Sequence, residues 1–558
     1  MPRPRSVLVL RLTAFALGAL LVACGGRDEG AGPGGPRIAG SPDAAVGSPY
    51  AADGAWRDGR PLPAGGTRPN LIVVVVDTLR RDAVGLPGEP QGPMPWLEAH
   101  AARGVAFRHA VAPAPWTVPS MASMLCGLAP HEHGLLHPDA TPMLVEAVTT
   151  YAEVLHRAYG YETAAFTDGP WFRGRSGSLL QGFADGSADR HAPPGHLPPP
   201  GSGYWLDGTP ELVGAWLARR DPRRPFFLLL HTFEAHDPYG PENALRRTPD
   251  TPEVLAREER AILAFDVASA PTPKERARVF LLDRIGRRAL DAALGQRFMT
   301  DAASALYDGF DPARDAALLA EVRRGYDRGL RTVDDGLAST FQWLETAGLL
   351  EGALVVVAAD HGEGFAEHGH VGHGNSLHDE VVRVPLMLNG PAPFDRPLVV
   401  ETPVSLTDVL PTFFDWAGFE PLPGRMGRSL LPTLEGQRTW EAAPSEMLLT
   451  DSMAGRPLRL LGEGARSEAW KYLITLDLDT GDLTEELYDL RADPGAQHSL
   501  VGRERAWPAA ALPEGFCREV EAARQRLQDA ARRPIPARND FEAPVHVSWE
   551  RPPPCSGT

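Results

Sequence analysis

Two short apolar segments, far apart in the chain, each end at residues of the kind that bind metal ions. The run Leu71–Val76 is followed by Asp77, and residues 354–359 are followed by Asp360 and His361. Short, uninterrupted valine-rich runs predict strands buried on both faces, as in the parallel sheet of an α/β domain. Such sheets bind ligands beyond the carboxyl ends of their strands. The sequence therefore predicts a cation site at this edge, although either aspartate alone could equally cap a following helix.

A third segment, residues 116–127, adds a hydroxyl group. Thr117 precedes a short helical pattern with Pro119 in its first turn, and Gly127 is a natural end for that helix. The start of a helix offers free N–H groups and a positive dipole end, which suit a phosphate or sulfate group. A hydroxyl next to a cation can also be ionised and attack. Taken alone, Thr117 is more simply explained as a helix cap.

Further segments rich in histidine and acidic residues complete a recognisable pattern. They are residues 231–239, 360–374, 379–386, 405–412, 427–430 and 486–490. In this order, over about residues 68 to 505, the pattern resembles the sulfatase family of the alkaline phosphatase superfamily. The resemblance implies an α/β fold whose central, mostly parallel sheet is flanked by helices, with a smaller C-terminal subdomain built on an antiparallel sheet.

The resemblance also implies a metal site. Asp77, Thr117, Asp360 and His361 match the ligands of one divalent cation. A mixed set of nitrogen and oxygen ligands favours Zn²⁺ or Mn²⁺, with Ca²⁺ as a further possibility. We therefore expect a divalent metal cofactor at these residues.

Other histidines follow in the same segments. His236 and His373 match positions that hold a second metal or protonate the leaving oxygen. Thr232 stands where a carboxylate for that second metal is expected, so the second site is predicted to be incomplete. His368 and His370 are interpreted as solvated residues or as neighbours of the ligands.

Several positions depart from the sulfatase pattern. Sulfatases oxidise a cysteine or serine to formylglycine, but that position here is Thr117, so no formylglycine is expected. Met121 occupies the place of the motif arginine, and Thr78 replaces the second aspartate of a pair. A lysine- and histidine-containing segment is replaced by residues 167–170. With these changes the chain is similar to the phosphate-handling branches of the alkaline phosphatase superfamily, such as phosphoethanolamine transferases, lipoteichoic acid synthases and nucleotide pyrophosphatases.

The pattern thus predicts a metal-dependent hydrolase of sulfate or phosphate esters, with phosphoester hydrolysis or transfer through Thr117 preferred. One alternative is a sulfatase that works without formylglycine, and another is a catalytically silent metal-binding surface lipoprotein. The expected substrate is an anionic ester on a small molecule, glycan or lipid. A net charge of −17 argues against a nucleic-acid partner.

The N-terminus predicts the location of the protein. Arginines flank and interrupt a short apolar stretch, residues 7–22, and residues 21–24 resemble the signal box of bacterial lipoproteins, with Cys24 as the lipidated residue. We therefore expect a signal peptide over residues 1–23 and a Gly/Pro-rich tether over 24–67. The protein would be lipid-anchored to a membrane of the bacterial cell envelope. The alternative is an ordinary secretory signal with a coincidental cysteine.

The remaining chain divides into a catalytic domain and a smaller subdomain. Residues 68–440 are predicted to form the sulfatase-like domain, including a helical insertion at 244–320, and residues 441–530 the C-terminal subdomain, with a tail over 531–558. Apolar residues at helical spacing before the apolar run 354–359 predict a helix: Leu330, Val333, Leu337, Phe341 and Leu344. Cys126 is interpreted as a small packed residue, and a disulfide between Cys517 and Cys555 remains open.

Overall fold

A mixed, mostly parallel sheet of eight strands lies at the centre of the catalytic domain. The computed structural model describes residues 68–135, 148–167, 179–186, 205–236, 312–453, 456–478, 480–501 and 512–531, together with Cys555. The strands are β1 (Leu71–Val76), β2 (Val105–Phe107), β3 (Ala110–Val111), β4 (Glu162–Thr167), β5 (Asp185–Gly186), β6 (Phe226–Thr232), β7 (Leu354–Ala358), β8 (Gly364–Phe365), β9 (Val371–Gly372), β10 (Arg383–Val384), β11 (Leu386–Asn389), β12 (Leu398–Val400), β13 (Val404–Ser405), β14 (Ala443–Met453), β15 (Arg456–Arg466), β16 (Trp470–Asp477) and β17 (Leu483–Asp489).

The central sheet has the strand order β12-β2-β11-β7-β1-β6-β4-β5. β1 pairs in parallel with β6 on one side and β7 on the other, and β4 continues the parallel arrangement beyond β6. β11 is antiparallel to both of its neighbours. Every residue of β1, β6 and β7 is buried, because helices cover both faces of the sheet. The expected α/β fold with a mostly parallel central sheet is confirmed.

The described residues form ten helices, of which the last packs on the smaller C-terminal sheet rather than on this one. They are α1 (Pro95–Ala101), α2 (Thr117–Cys126), α3 (Pro130–His133), α4 (Tyr151–Arg157), α5 (Trp205–Leu217), α6 (Pro312–Thr346), α7 (Asp379–Val382), α8 (Val409–Trp416), α9 (Leu431–Leu434) and α10 (Glu514–Ala531), with 3-10 turns at Arg81–Ala83 and Leu406–Asp408. The helix predicted before the apolar run 354–359 is confirmed as part of α6, and its apolar residues are buried. No helix within the described ranges is long and apolar enough to cross a bilayer.

The smaller C-terminal unit is an antiparallel sheet with the strand order β14-β15-β16-β17, covered by α10. A disulfide joins Cys517 of α10 to Cys555, with 5.4 Å between their Cα atoms. The pairing that the sequence left open is therefore present. Cys126 is fully buried in the main core, as expected for a packed residue.

Several predicted segments lie outside the described residues. They are the signal peptide, Cys24, the tether, residues 168–170, most of the 244–320 insertion and the tail apart from Ala531 and Cys555. The end of the insertion coincides with the first residues of α6. The boundaries proposed for these segments remain predictions.

Candidate active site

Three parallel strands deliver metal-type ligands to one edge of the sheet. The register pairs Val76 of β1 with Thr232 of β6, and Val75 with Ala358 of β7, so all three strands end at the same level. Asp77, His231 and Asp360 consequently place one ligand atom each within 4.8 Å of one another. All three side chains are fully buried.

Helix α2 brings the hydroxyl of Thr117 into the same cluster. Thr117 Oγ1 lies 3.2 Å from Asp77 Oδ2 and 3.2 Å from His361 Nε2. The Ser120 hydroxyl, one turn along α2, donates to the carbonyl oxygen of Asp360 at 2.6 Å and ties the helix start to the end of β7. The helix ends at Gly127, whose φ of 71° suits glycine. The predicted end at Gly127 is confirmed, but Thr117 is the first residue of the helix rather than its cap: the N-cap is Trp116, and no side chain caps this end.

The protonation of His361 follows from its contacts. Its Nδ1 lies 2.9 Å from the carbonyl oxygen of Gly362, which can only accept, so Nδ1 carries the proton. Nε2 therefore presents its lone pair to Thr117. Burial lowers the pKa of His361 to about 4, which keeps the ring neutral at neutral pH.

Asp360 stays ionised in this buried position. Burial acts to raise its pKa, but His361 and His231 outweigh burial, and the pKa falls below its usual value. The backbone N–H of His361 also donates to Asp360 Oδ1 at 2.9 Å. Asp360 Oδ2 lies 3.7 Å from His231 Nε2 and 3.6 Å from His361 Nε2, too far for a hydrogen bond.

The donor set fits a divalent cation. Two carboxylates, two imidazoles and a hydroxyl converge in a buried space, and Asp360 Oδ2 has no hydrogen-bond partner among the described residues. Buried carboxylates are unfavourable unless a positive charge compensates them. The four predicted ligands, Asp77, Thr117, Asp360 and His361, do come together. Their role in binding a metal remains a prediction.

His231 joins this set, although its sequence context did not predict it as a ligand. It lies within the apolar strand β6, where a lone histidine is usually interpreted as part of the core. The signal that points to it is register, since His231 pairs with Val75 of β1 and with Thr167 of β4. Its Nδ1 lies 3.1 Å from Thr167 Oγ1, a contact that can orient Nε2 toward the carboxylates.

His236 and His373 lie beside the cluster, at its more exposed side. The His373 ring is centred 4.5 Å from that of His361 and 4.8 Å from that of His236. His373 Nδ1 lies 3.0 Å from Glu363 Oε1, and Phe233 stacks on His236 with 3.9 Å between ring centroids. The His373 side chain is 22% exposed.

Thr232 supplies no carboxylate to these histidines. Its hydroxyl accepts the backbone N–H of Glu234 at 3.3 Å. Within the described ranges, the three-residue cluster of Asp77, His231 and Asp360 is the only such group with metal-ligand geometry. The expectation of an incomplete second metal site remains a prediction.

The other residues singled out from the sequence lie away from the cation cluster. His368 contacts Glu380 Oε1 at 2.8 Å and the carbonyl oxygen of Ala496 at 2.9 Å, so it joins the catalytic domain to the C-terminal unit. His370 is partly buried in the same region, near Glu380. Met121, at the place of the motif arginine, is fully buried in the main core.

Comparison with known proteins identifies the family of the chain. Residues 69–419 match the family model described as Sulfatase. The chain is 26% identical over 465 residues to a Delta 4,5-hexuronate-2-O-sulfatase of Bacteroides thetaiotaomicron, covering 78% of this chain and 85% of the relative. It is also 26% identical over 515 residues to a choline-sulfatase of Rhizobium meliloti, covering 84% and 90% of the two chains.

Solved structures show the same fold. The phosphonate monoester hydrolase of Agrobacterium radiobacter superimposes with a TM-score of 0.55 at 21% identity, covering 82% of this chain and 96% of the other. The residues matched by the family model include the end of β1, the start of α2 and the end of β7. The matched range covers more than half of the chain, and the chain therefore belongs to the sulfatase family of ester-bond hydrolases.

Proposed function

We propose that this protein cleaves phosphate-type esters, with Thr117 as the nucleophile and a divalent cation held by the surrounding carboxylates and imidazoles. The observation that carries the proposal is the position of the Thr117 hydroxyl at the start of α2. Thr117 is 1% exposed, and its Oγ1 lies 3.2 Å from both Asp77 Oδ2 and His361 Nε2. A hydroxyl so placed has acceptors for its proton and keeps a lone pair for attack.

In the proposed reaction, residues on the buried side of the cluster carry out the attack, and residues on its exposed side protonate the leaving oxygen. Thr117 Oγ1 forms a bond to phosphorus while the bond to the leaving oxygen breaks, and the Thr117 proton passes to Asp77 or His361. The leaving oxygen takes a proton from His236 or His373 on the exposed side. A bound divalent cation would lower the pKa of the Thr117 hydroxyl and offset the negative charge on the transferred group. Water then attacks phosphorus and gives a proton to the deprotonated His236 or His373, while the bond from phosphorus to Thr117 Oγ1 breaks and Thr117 regains its proton from Asp77 or His361. An alcohol in place of water would give transfer.

The chemistry of the chain supports phosphate over sulfate. Threonine has a methyl group on Cβ and is not expected to become formylglycine, and Met121 cannot provide the charge of the motif arginine. The lysines of the chain are Lys274 and Lys471. Lys471 is buried 2.5 Å from Asp379 at the contact with the C-terminal sheet, and Lys274 lies outside the described residues. No lysine in the described part of the chain is therefore available to bind a sulfate group.

A sulfatase that works without formylglycine is the second candidate, because the relatives reported above are named for sulfate-ester substrates. One of them is named for a sulfated hexuronate, which supports a glycan-linked anionic ester as a substrate class to test. The two candidates share the fold and the cation cluster, so only turnover separates them.

We further propose that the protein is exported and held at a membrane of the bacterial cell envelope through lipidated Cys24. The signal-like pattern of residues 1–24 supports this location. The disulfide between Cys517 and Cys555 supports export, because disulfides persist in oxidising compartments.

The substrate class is tested with four esters that share one leaving group, 4-nitrophenol. The protein is loaded with Zn²⁺ or Mn²⁺ and assayed on 4-nitrophenyl esters of phosphate, phenyl phosphate, phenylphosphonate and sulfate, with Thr117→Ala as the background control. We expect kcat/KM for a phosphorus ester to exceed that for the sulfate. A higher kcat/KM on the sulfate, lost in Thr117→Ala, would favour the sulfatase candidate instead.

A further inference from the structure

The turn that follows Asp77 has an unusual backbone. Thr78 has a φ of 59°, in the left-handed region that β-branched residues strongly avoid. The residue is fully buried, and its hydroxyl donates to the carbonyl oxygen of Asp77 at 2.7 Å. Such a conformation persists only where the surroundings hold it in place.

A tyrosine on helix α6 supplies that support. The hydroxyl of Tyr326 donates to the carbonyl oxygen of Thr78 at 2.9 Å and accepts the backbone N–H of Arg80 at 3.0 Å. One buried hydroxyl thus satisfies a backbone acceptor and a backbone donor on either side of Leu79. Without it, both backbone groups would lose this partner inside the protein, which is unfavourable.

The same turn connects to the second ligand segment. The Arg80 guanidinium donates to the carbonyl oxygen of Glu363 at 2.8 Å and to Asp82 at 2.7 and 2.8 Å. Glu363 follows Asp360 and His361 in sequence. The turn that carries Asp77 and the loop that carries the other ligands are therefore linked to each other beside Tyr326.

We propose that Tyr326 is a positioning residue that keeps the Asp77 carboxylate directed into the cation site by holding Thr78 in its left-handed conformation. The inference rests on the cation site of the proposed function. Asp77 Oδ2 lies 3.2 Å from Thr117 Oγ1 and 3.8 Å from His231 Nε2. A change in the backbone at Thr78 would move the carboxylate relative to both residues. Residues that orient metal ligands in this way commonly change metal affinity by about 10–100-fold when removed.

The test measures metal binding rather than turnover. Mn²⁺ affinity is determined by titration under electron paramagnetic resonance for the wild type, Tyr326→Phe and Tyr161→Phe. Tyr161 is a matched control, because it is also fully buried and its hydroxyl donates to a backbone carbonyl, that of Pro69 before β1, at 2.6 Å. We expect the Kd for Mn²⁺ to rise at least about tenfold in Tyr326→Phe and to stay within about twofold in Tyr161→Phe.

A rescue experiment separates positioning from general stability. Glycine adopts positive φ without strain, so Thr78→Gly in the Tyr326→Phe background should restore most of the lost Mn²⁺ affinity. Thermal unfolding of the metal-free variants shows whether each one is folded. An unchanged Kd in Tyr326→Phe, or a weakened Kd that Thr78→Gly does not restore, overturns the inference.

The outcome also separates this inference from the proposed function. If Tyr326→Phe binds Mn²⁺ as the wild type does while phosphate esters are still cleaved, only the positioning role fails. If Tyr326→Phe binds Mn²⁺ weakly but no phosphate ester is cleaved by the wild type, only the proposed reaction fails. A wild type that binds no Mn²⁺ contradicts both.

Discussion

The hydroxyl oxygen of Thr117 lies 3.2 Å from Nε2 of His361, the nitrogen that presents its lone pair. The two residues come from the start of α2 and from the segment after β7, which are brought together by the central sheet. Since Asp77 Oδ2 is equally close to the hydroxyl, Thr117 has two acceptors for its proton. This arrangement is suited to a nucleophile, and each part of it can be tested separately.

Removal of the hydroxyl tests the nucleophile. Thr117→Ala should lower kcat by roughly 10³-fold or more, because the helix start and the other ligands remain but no covalent intermediate can form. Thr117→Ser should keep measurable activity, since it retains the hydroxyl. Turnover is measured together with bound metal by elemental analysis. An active Thr117→Ala protein would mean that water attacks directly, and the proposed covalent mechanism would be abandoned.

Removal of a ligand tests the cation site. Asp360→Ala should lose both metal and activity, and His231→Ala should weaken metal binding by at least about tenfold. His100→Ala is the matched control for His231, because His100 is also buried but packs between Trp96 and Phe341. Metal content after dialysis is measured for all three variants. Equal metal loss in His100→Ala would show that the effect is one of stability.

The leaving-group side can be tested with esters of different acidity. If His373 protonates the leaving oxygen, His373→Ala should lower kcat/KM by about 10²-fold or more for an alkyl ester, which needs a proton. The decrease should be much smaller for the 4-nitrophenyl ester, whose leaving group is stable as an anion. A uniform decrease for both esters would instead indicate a role in binding the substrate.

The membrane anchor can be tested without the active site. Cys24→Ser should move the protein from the membrane fraction to the soluble fraction with turnover unchanged, since no proposed ligand lies in residues 25–67. Fractionation followed by an activity assay measures both effects. Retention of the variant in the membrane fraction would refute lipidation at Cys24.

The contact of His368 with Glu380 predicts a pH-dependent stability. Burial opposes the charge of His368, but the hydrogen bond and charge of Glu380 raise its pKa above the usual 6.5. A raised pKa in the folded protein stabilises it fully below about pH 6.5, and this contribution is lost as the pH rises through the raised value. The adjacent His378, stacked 3.7 Å away, has its pKa lowered well below 6.5 by burial and stays neutral.

The expected difference is modest, because water partly screens this pair. The Tm of wild type minus that of His368→Gln should be larger at pH 6 than at pH 9, by roughly 1–2 °C. His100→Gln serves as a control at another buried histidine, because burial lowers the pKa of His100 to about 4 and its ring is neutral at both pH values. A Tm difference for His368→Gln that grows with pH would contradict the assignment of charge.

Much of the site was predictable from sequence, because its signals are local. An uninterrupted valine-rich run predicts a buried strand whatever the rest of the chain does, and Asp77 and Asp360 follow directly from where those runs end. The start of α2 at Thr117 and its end at Gly127 follow from the residues that favour helix ends. The order of the motifs was sufficient to indicate the family and therefore the fold.

Only the tertiary structure decided which distant residues complete the site. His231 and Tyr326 lie within regular elements, where a single polar residue in an apolar pattern is ordinary and local signals do not distinguish it. His231 becomes a candidate ligand because the register of β6 against β1 pairs it with Val75, two residues before Asp77, at the same edge of the sheet. The Tyr326 hydroxyl meets Thr78 because α6 passes beside the turn that follows β1. Strand register and helix packing depend on contacts across the whole core, and no short stretch of sequence contains that information.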